Sequence, residues 1–303
     1  MTTREQFKRV DVQMVIVRPK RERDMKHLLG RVFRKLFGKT NSFHLFYPYM
    51  EHSSSFVLPK PPPHTAECAA TGVPPAQKWI SDKYGKTVED YLASGKRDLH
   101  DMETILSQSG MSLSAVGNIL EFGCGDGRMI RCLEHLAHDR EIWGADIHAE
   151  RVVWCKQHLS PPFRFVTTTI VPHLPFEDRY FGFIFAGSVF THIDDLADAW
   201  IMELKRVLRP GGKLFMTVHL RNDISLLNGK YHRSPLTKFL RRHKVFNESI
   251  NTDFDMLTIG RSANSSVFYD FEYLRKMIEP NFRILSVTEQ VRLYQNALLL
   301  ERT

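Results

Sequence analysis

From about residue 79 onward, short apolar runs alternate with stretches in which apolar residues recur at helical spacing. This alternation is typical of an α/β domain built on a mostly parallel sheet. The apolar runs predict seven strands, near residues 118–122, 141–146, 163–167, 181–186, 213–219, 282–289 and 292–300. The helical stretches predict helices near residues 98–109, 127–138, 149–159, 194–208 and 270–279.

The last two predicted strands, FRILSVTE and RLYQNALLL, follow each other too closely for a helical crossover, so we expect them to be antiparallel. The predicted fold is therefore a Rossmann-like α/β fold, with a seven-stranded mostly parallel sheet, an antiparallel C-terminal hairpin and helices on both faces. Residues 220–267, after the fifth strand, are rich in Asn, Ser, His and Arg. We expect this insertion to cap a ligand pocket at the carboxyl ends of the strands, and its polarity favours a polar ligand.

Charge and proline divide the rest of the chain. The net charge is +8, and residues 1–40 hold twelve Lys and Arg against four Asp and Glu, so the excess belongs to this segment. Six of the fifteen prolines fall between Pro59 and Pro75, a density that excludes a helix or a central strand. We predict a basic arm over residues 1–58, a Pro-rich linker over 59–78 and the α/β domain over 79–303.

Within the arm, residues 24–37 have apolar positions at helical spacing with basic residues between them. Such a helix either packs its apolar stripe on the main domain, or lies on an anionic membrane surface or a protein partner. The balanced charge of the remaining chain disfavours nucleic acid as the ligand of the whole protein, because a basic face belongs on the fold that reads the nucleic acid.

Composition narrows the class of protein. The chain is 43% hydrophobic and 25% charged with a mean hydropathy of −0.29, values that fit a folded domain and exclude a wholly disordered chain. No run of about 18 uncharged apolar residues predicts a membrane span. The four cysteines lack the spacing of a zinc site, so we expect no metal and a reduced, cytoplasmic setting, with or without peripheral attachment to a membrane.

The segment ILEFGCGDGR carries the clearest chemical signal. An apolar strand runs into Gly123, Gly125 and Gly127, and glycines there let a ligand approach the backbone N–H groups. The dinucleotide fingerprint needs its third glycine at the position of Arg128. Glu121, two residues before the first glycine, suits a cationic ligand tail and would repel a pyrophosphate. A sulfonium cofactor with a free ammonium group has such a tail.

Asp146 ends the next predicted strand, where an acid can accept both hydroxyls of a ribose. The alternative role for Asp146 is to cap the helix that follows it. Ile147 is then placed to lie against an adenine, or to be an ordinary core residue.

Residues 118–219 resemble the class I S-adenosylmethionine-dependent methyltransferases, of the small-molecule group called methyltransferase type 11. Four landmarks match in order: EFGCGDG, GADI with its acid at Asp146, the LPF of residues 174–176, and ELKRVLRPGGKLFMTV over residues 203–218. The resemblance implies S-adenosylmethionine as cofactor, with the turn residues Gly123, Cys124, Gly125 and Gly127 among those that bind it.

The segment AGSVFTHIDD follows the fourth strand and, in this fold, faces the sulfur of the cofactor. Ser188 either contacts the methionyl part of the cofactor or only forms the turn. His192 is the candidate catalytic base, because imidazole titrates near neutrality and can take a hydroxyl proton. A histidine in the first turn of a helix can equally be packed or solvated without a catalytic role.

These observations predict an enzyme that transfers a methyl group to a small polar molecule or a glycan, at oxygen. The alternatives are a non-catalytic docking or regulatory relative, an NAD-dependent oxidoreductase and an RNA methyltransferase. The sequence does not identify the acceptor or the oligomeric state.

Overall fold

The computed structural model describes Tyr84 and residues 87–249, 252–260, 265–292 and 294–303. The predicted basic arm, its helix over residues 24–37 and the Pro-rich linker lie outside these residues, so they stay predictions.

Helices and strands alternate along the first half of the domain and then give way to a hairpin, as the sequence pattern predicts. The described elements are α1 (Val88–Gln108), β1 (Ile119–Phe122), β2 (Ile142–Asp146), α2 (Ala149–His158), β3 (Arg164–Thr167), β4 (Phe181–Ala186), α3 (Ala197–Val207), β5 (Leu208–Leu220), α4 (Asp223–Asn228), α5 (Pro235–Leu240), α6 (Lys244–Ser249), β6 (Met256–Ile259), β7 (Ser266–Tyr269), α7 (Phe271–Ile278), β8 (Phe282–Arg292) and β9 (Gln295–Arg302). Two 3₁₀ helices span Leu113–Ala115 and Ile130–Leu136.

The strands form one sheet in the order β3-β2-β1-β4-β5-β7-β6, and β9 also pairs with β5. The pairs β1–β2, β1–β4, β2–β3 and β4–β5 are parallel, while β8 and β9 form the predicted antiparallel hairpin. The fold class is therefore confirmed. The strand number is corrected, because the described residues contain nine strands and the insertion supplies the two additional ones, β6 and β7.

The sheet is covered on both faces, which explains its continuous apolar strands. Every residue of FGFIFA in β4 is buried. One apolar cluster packs α1, α2 and the second 3₁₀ helix on one face. A second cluster packs α3 and α7 on the other face.

Two helices differ from their predicted bounds. The helix α1 begins ten residues before the predicted start, because Thr87 and Asp90 form a reciprocal capping box there. The helix predicted over residues 127–138 is a 3₁₀ helix over Ile130–Leu136, and it begins later because Gly127 has a φ of +76° that no right-handed helix allows.

The insertion after β5 has an apolar core of its own. Side chains from α4, α5, α6, β6 and β7 bury each other beside Tyr294. The insertion is therefore less polar inside than its composition predicts. Among the described residues, no helix combines the length and the apolar character needed to cross a bilayer.

Candidate functional site

The glycine-rich turn leaves β1 at the carboxyl edge of the sheet and folds back against β2. Gly123 and Cys124 both donate their backbone N–H groups to the carbonyl of Ala145, over 2.7 and 3.0 Å. Gly123, Gly125 and Gly127 have φ angles of +82°, +55° and +76°, a region that favours glycine. The turn is thus a fixed structure that joins the ends of the first two strands.

Close packing also requires two of these glycines. A Cβ atom on Gly123 would lie 2.2 Å from Cγ2 of Val189, and one on Gly127 would lie 2.4 Å from Cδ1 of Leu159. Val189 belongs to the turn after β4, so Gly123 is the point at which the ends of β1 and β4 approach each other. The predicted segments EFGCGDG and AGSVFTHIDD therefore meet in space.

Asp146 ends β2 and its buried carboxylate reaches the turn. One carboxylate oxygen accepts the backbone N–H of Gly125 over 2.7 Å. The other accepts the backbone N–H of His148 over 2.8 Å and lies 3.0 Å from the ring nitrogen Nδ1 of His148. Burial opposes ionisation, but these hydrogen bonds outweigh it and hold the pKa of Asp146 below its ordinary value. The group is an anion at the place where a ribose is expected.

Glu121 lies inside the protein at the base of the turn. It is 5% exposed, and its carboxylate accepts the backbone N–H of Ile130 over 2.9 Å, which caps the 3₁₀ helix. Burial raises the pKa of Glu121 to about 8, although Arg128 and the Ile130 N–H act in the opposite direction. The sequence predicts that Glu121 contacts a cationic tail of the ligand. The structure shows in addition that Glu121 caps the 3₁₀ helix.

A third acid, Asp126, connects the turn to α1. The hydroxyl of Tyr91 donates to Asp126 over 2.5 Å, and both side chains are buried. Burial, followed by the charge of Asp126, raises the pKa of Tyr91 above its ordinary value. The position of α1 is therefore coupled to the conformation of the glycine turn.

The charges around the turn allow a test of which ligand fits. The three carboxylates Glu121, Asp126 and Asp146 are buried there. Arg128, in the third-glycine slot, points away to Asp98 and Ser94 on α1. These oxygen acceptors fit a ligand with hydroxyl groups, and the ionised carboxylate of Asp146 favours a positive charge and would repel a diphosphate.

Ser188 is held in an unusual conformation directly after β4. Its φ is +60°, which is uncommon outside glycine, and its backbone N–H donates to the hydroxyl of Thr217 over 2.7 Å. The Ser188 and Thr217 hydroxyls both donate to Oε1 of Gln295 over 2.8 Å. Strained residues that are held this firmly occur often at functional sites.

His192 lies on the surface, one turn after Ser188. Its ring nitrogen Nδ1 is 2.5 Å from the backbone carbonyl of Ser265, and Ser265 donates its hydroxyl to the carbonyl of His192. The carbonyl can only accept, so Nδ1 carries the proton and Nε2 is the basic nitrogen of the neutral ring. This tautomer is the one that a base needs, although no hydrogen bond described for His192 connects it to Ser188.

A family profile described as "Methyltransferase domain" matches residues 120–216. This segment contains the glycine turn, Asp146, Ser188 and Thr217. These residues form a methyltransferase domain. The resemblance to class I S-adenosylmethionine-dependent methyltransferases is confirmed, and S-adenosylmethionine is the cofactor of this class.

The relatives that match this chain include two methyltransferases that align with parts of it. A malonyl-[acyl-carrier protein] O-methyltransferase from Hahella chejuensis is 25% identical over 137 residues, which are 44% of this chain and 49% of the relative. A phthiotriol/phenolphthiotriol dimycocerosates methyltransferase from Mycobacterium ulcerans is 30% identical over 126 residues, 41% of this chain and 46% of the relative. Each alignment thus spans about half the length of the relative.

Solved structures share the fold of the methyltransferase domain. A protein from Pyrococcus horikoshii superimposes with a TM-score of 0.51 at 17% identity, covering 74% of this chain and 97% of that one. An S-adenosylmethionine-dependent methyltransferase from Clostridium acetobutylicum has a TM-score of 0.50 at 14% identity, covering 74% of this chain and 96% of its own.

Two further predicted residues of the methyltransferase domain are in place beside the turn. Cys124 is buried, its Sγ lies 3.8 Å from the carbonyl of Gly125, and burial raises the pKa of its thiol well above the ordinary value. Only its backbone is thus suited to ligand contact. Ile147 is half-buried directly after Asp146.

Sequence reasoning missed Thr217, Gln295 and Arg292, which all contact Ser188. They meet Ser188 across sequence separations of 29, 107 and 104 residues, so no local motif contains them. The available signal was Thr217 itself, a polar residue inside the apolar run KLFMTVH. A polar residue there predicts a hydrogen-bonded group facing the site.

Proposed function

We propose that the chain transfers the methyl group of S-adenosylmethionine to an oxygen atom of a small polar acceptor. The observation that carries this proposal is the ionised carboxylate of Asp146, fixed by Gly125 and His148 at the tip of β2. A carboxylate with two oxygens and several lone pairs can accept two ribose hydroxyls in addition to these bonds.

The other cofactor contacts follow from the same turn. The backbone of Gly123 to Gly127 would lie beside the methionyl part, and the ammonium group of that part would favour the ionised form of Glu121. Ile147 lies against the adenine. Ser188 contacts the methionyl part from the β4 side, where its neighbour Val189 already packs on Gly123.

When bound, S-adenosylmethionine supplies a methyl group that its positive sulfur has already activated for displacement. The chain has to hold the acceptor oxygen in line with the carbon–sulfur bond and to exclude water. One carbon–oxygen bond forms, one carbon–sulfur bond breaks, and the electron pair of the broken bond stays on sulfur. For a hydroxyl acceptor, Nε2 of His192 takes the proton, while a carboxylate acceptor releases none.

Oxygen is favoured as the acceptor atom because one relative is a malonyl-[acyl-carrier protein] O-methyltransferase. Small molecules are favoured over nucleic acid because the described domain lacks the basic excess of the N-terminal arm. We also propose a glycan as an alternative acceptor. Residues 24–37 are proposed to dock on a membrane or on a protein.

Calorimetry with S-adenosylhomocysteine tests the cofactor part of this proposal, with NAD⁺ as the control ligand. We expect micromolar binding of the first and none of the second. Transfer of tritium from methyl-labelled S-adenosylmethionine into a metabolite extract tests the reaction, and mass spectrometry of the labelled product identifies the acceptor. Cofactor binding without any labelled product would favour a non-catalytic relative.

A further inference from the structure

A small cleft opens beside the site between α1 and the sheet. Gly187, the residue directly after β4, forms part of its wall. The remaining lining comes from α1, the start of the second 3₁₀ helix, β5 and β8: Asp98, Asp101, Met129, Phe215, Thr217, Val291 and Arg292. The proposed function puts the cofactor beside the turn after β4, so this cleft borders the place where an acceptor would bind.

Arg292 spans the cleft at the end of β8. Its Nη1 donates to the hydroxyl of Ser188 over 3.2 Å, and its Nη2 is 3.0 Å from Oδ2 of Asp98. Its guanidinium lies 5.4 Å from the centre of the Tyr84 ring, and a Cβ on Gly187 would be 3.5 Å from Nη1. The side chain is only 13% exposed. The charge of Arg292 is therefore held next to the turn that faces the cofactor.

The positive charge of Arg292 is only partly balanced. Arg128 contacts the same oxygen of Asp98 over 2.5 Å, so one carboxylate serves two buried guanidinium groups. Arg128 also stacks on Tyr84, at 4.4 Å. The second carboxylate of the cleft, Asp101, is exposed, so solvent screens its charge.

Hydrogen bonding around Arg292 is also incomplete. The contact of Nη2 with Asp98 is an ion pair without hydrogen-bond geometry, and among the described residues this buried atom has no hydrogen-bond partner. A buried N–H group without a hydrogen bond is costly, and a planar guanidinium is matched best by a carboxylate. A ligand that brings a carboxylate would complete both the charge balance and the hydrogen bonds.

We infer that the acceptor carries a carboxylate and that Arg292 binds it, which makes Arg292 a specificity-determining residue. This inference rests on the proposed function and names the substrate class of the same site. Asp98 occupies Arg292 until the acceptor arrives, and Ser188 fixes the guanidinium beside the transferred methyl group. The cofactor also has a carboxylate, so the experiment has to separate the two sources.

Calorimetric titration of the protein saturated with S-adenosylhomocysteine tests the inference, with acetate, malonate and benzoate as probes. At least one of these carboxylates should bind, and the corresponding neutral amides should bind about tenfold more weakly or not at all. Binding of no carboxylate, or equal binding of acid and amide, would overturn the inference.

Three variants distinguish carboxylate binding by Arg292 from a purely structural role of its ion pair with Asp98. Arg292→Gln should weaken carboxylate binding about tenfold or more, and Arg283→Gln, on the exposed side of the same strand, should leave it unchanged. Asp98→Asn should strengthen carboxylate binding, because it removes the competing anion. A purely structural role for the ion pair predicts that Arg292→Gln and Asp98→Asn both weaken binding, and that outcome would overturn the inference.

Affinity for the cofactor product distinguishes the two carboxylates. Arg292→Gln should bind S-adenosylhomocysteine within about twofold of the unchanged protein. Loss of this affinity, with unchanged binding of methylthioadenosine, which lacks the amino-acid tail, would assign Arg292 to the cofactor and overturn the inference.

Titration without S-adenosylhomocysteine separates this inference from the proposed function. If the protein binds carboxylates through Arg292 but does not bind S-adenosylhomocysteine, the result supports the anion site and overturns the proposed function. If the protein binds S-adenosylhomocysteine but binds no carboxylate, only the inference about Arg292 is overturned.

Discussion

The backbone N–H of Gly125 donates to the carboxylate of Asp146 over 2.7 Å. This bond joins the turn after β1 to the tip of β2, and it leaves the second carboxylate oxygen with His148. The shape of the glycine turn and the position of the acid are thus set together. A change in either residue therefore affects both the turn and the position of the carboxylate.

Replacing Asp146 with Ala should weaken binding of S-adenosylhomocysteine by about 1–3 kcal/mol, because hydrogen bonds to a charged group are lost. Asp146→Asn should lose less, since an amide oxygen still accepts one bond. Calorimetry measures both losses of affinity. Asp139→Asn is the control, because Asp139 lies shortly before β2, at the opposite end of that strand from Asp146. An Asp146→Ala protein that is folded by circular dichroism and binds as tightly as the unchanged protein would contradict the ribose role.

Gly123→Ala should lower the free energy of unfolding by more than Gly211→Ala does. Both residues have a positive φ, but only at Gly123 does the new Cβ meet another side chain, Cγ2 of Val189 at 2.2 Å. Backbone strain alone costs about 1 kcal/mol, and the clash adds to it. Urea unfolding measures the difference. Adding Val189→Ala should relieve part of the cost at Gly123 and none at Gly211, and equal costs at the two glycines would argue against the close approach.

The pH dependence of stability should report Glu121. The unfolded chain loses this proton near pH 4.5, while the folded protein keeps it to about pH 8 because burial raises the pKa. The folded state then binds more protons, so the free energy of unfolding falls as the pH rises between these values, by at most about 1.4 kcal/mol per pH unit. Glu121→Gln stays neutral and should flatten this slope in urea titrations at several pH values. Glu134→Gln, exposed on the 3₁₀ helix, should leave the slope unchanged, and an unaltered slope in Glu121→Gln would contradict the raised pKa.

His192→Gln should lower kcat about 10²- to 10⁴-fold with a hydroxyl acceptor and leave the affinity for S-adenosylhomocysteine unchanged. The loss should shrink at high pH, where the acceptor ionises without a base. Tritium transfer between pH 6 and 10 measures it, with the exposed His138→Gln as the control. If kcat is unchanged at neutral pH, His192 is not the base, as is expected for a carboxylate acceptor.

The positions of seven strands along the chain and the glycine turn could be predicted because each depends on a local pattern. The run ILEFGCGDG needs an apolar strand and residues that tolerate positive φ, and both properties are visible in the residue types. Asp146 could be placed because it follows β2 directly. The seven predicted strands are all present for the same reason.

The capping role of Glu121 and the strand β6 are two features that local sequence patterns could not predict. The residue type of Glu121 indicates a carboxylate in the turn, but the capping of Ile130 depends on the unforeseen 3₁₀ helix. The strand β6 has four residues inside a segment of polar composition, and only pairing with β7 makes it a strand. The contacts of Arg292 with Asp98 and Ser188 arise from three separate elements, so they follow from the assembled sheet and not from any spacing in the chain.

The strand β5 changes its partner near its end. Val218 is the last residue that pairs with β9, and from His219 the same edge pairs with β7 through two residues, His219 and Leu220. The parallel ladder between the insertion and the central sheet is therefore very short in the described part of the chain. The hydrogen bonds that hold Asp146 and the glycine turn come from residues outside the insertion, so a change inside the insertion leaves them in place.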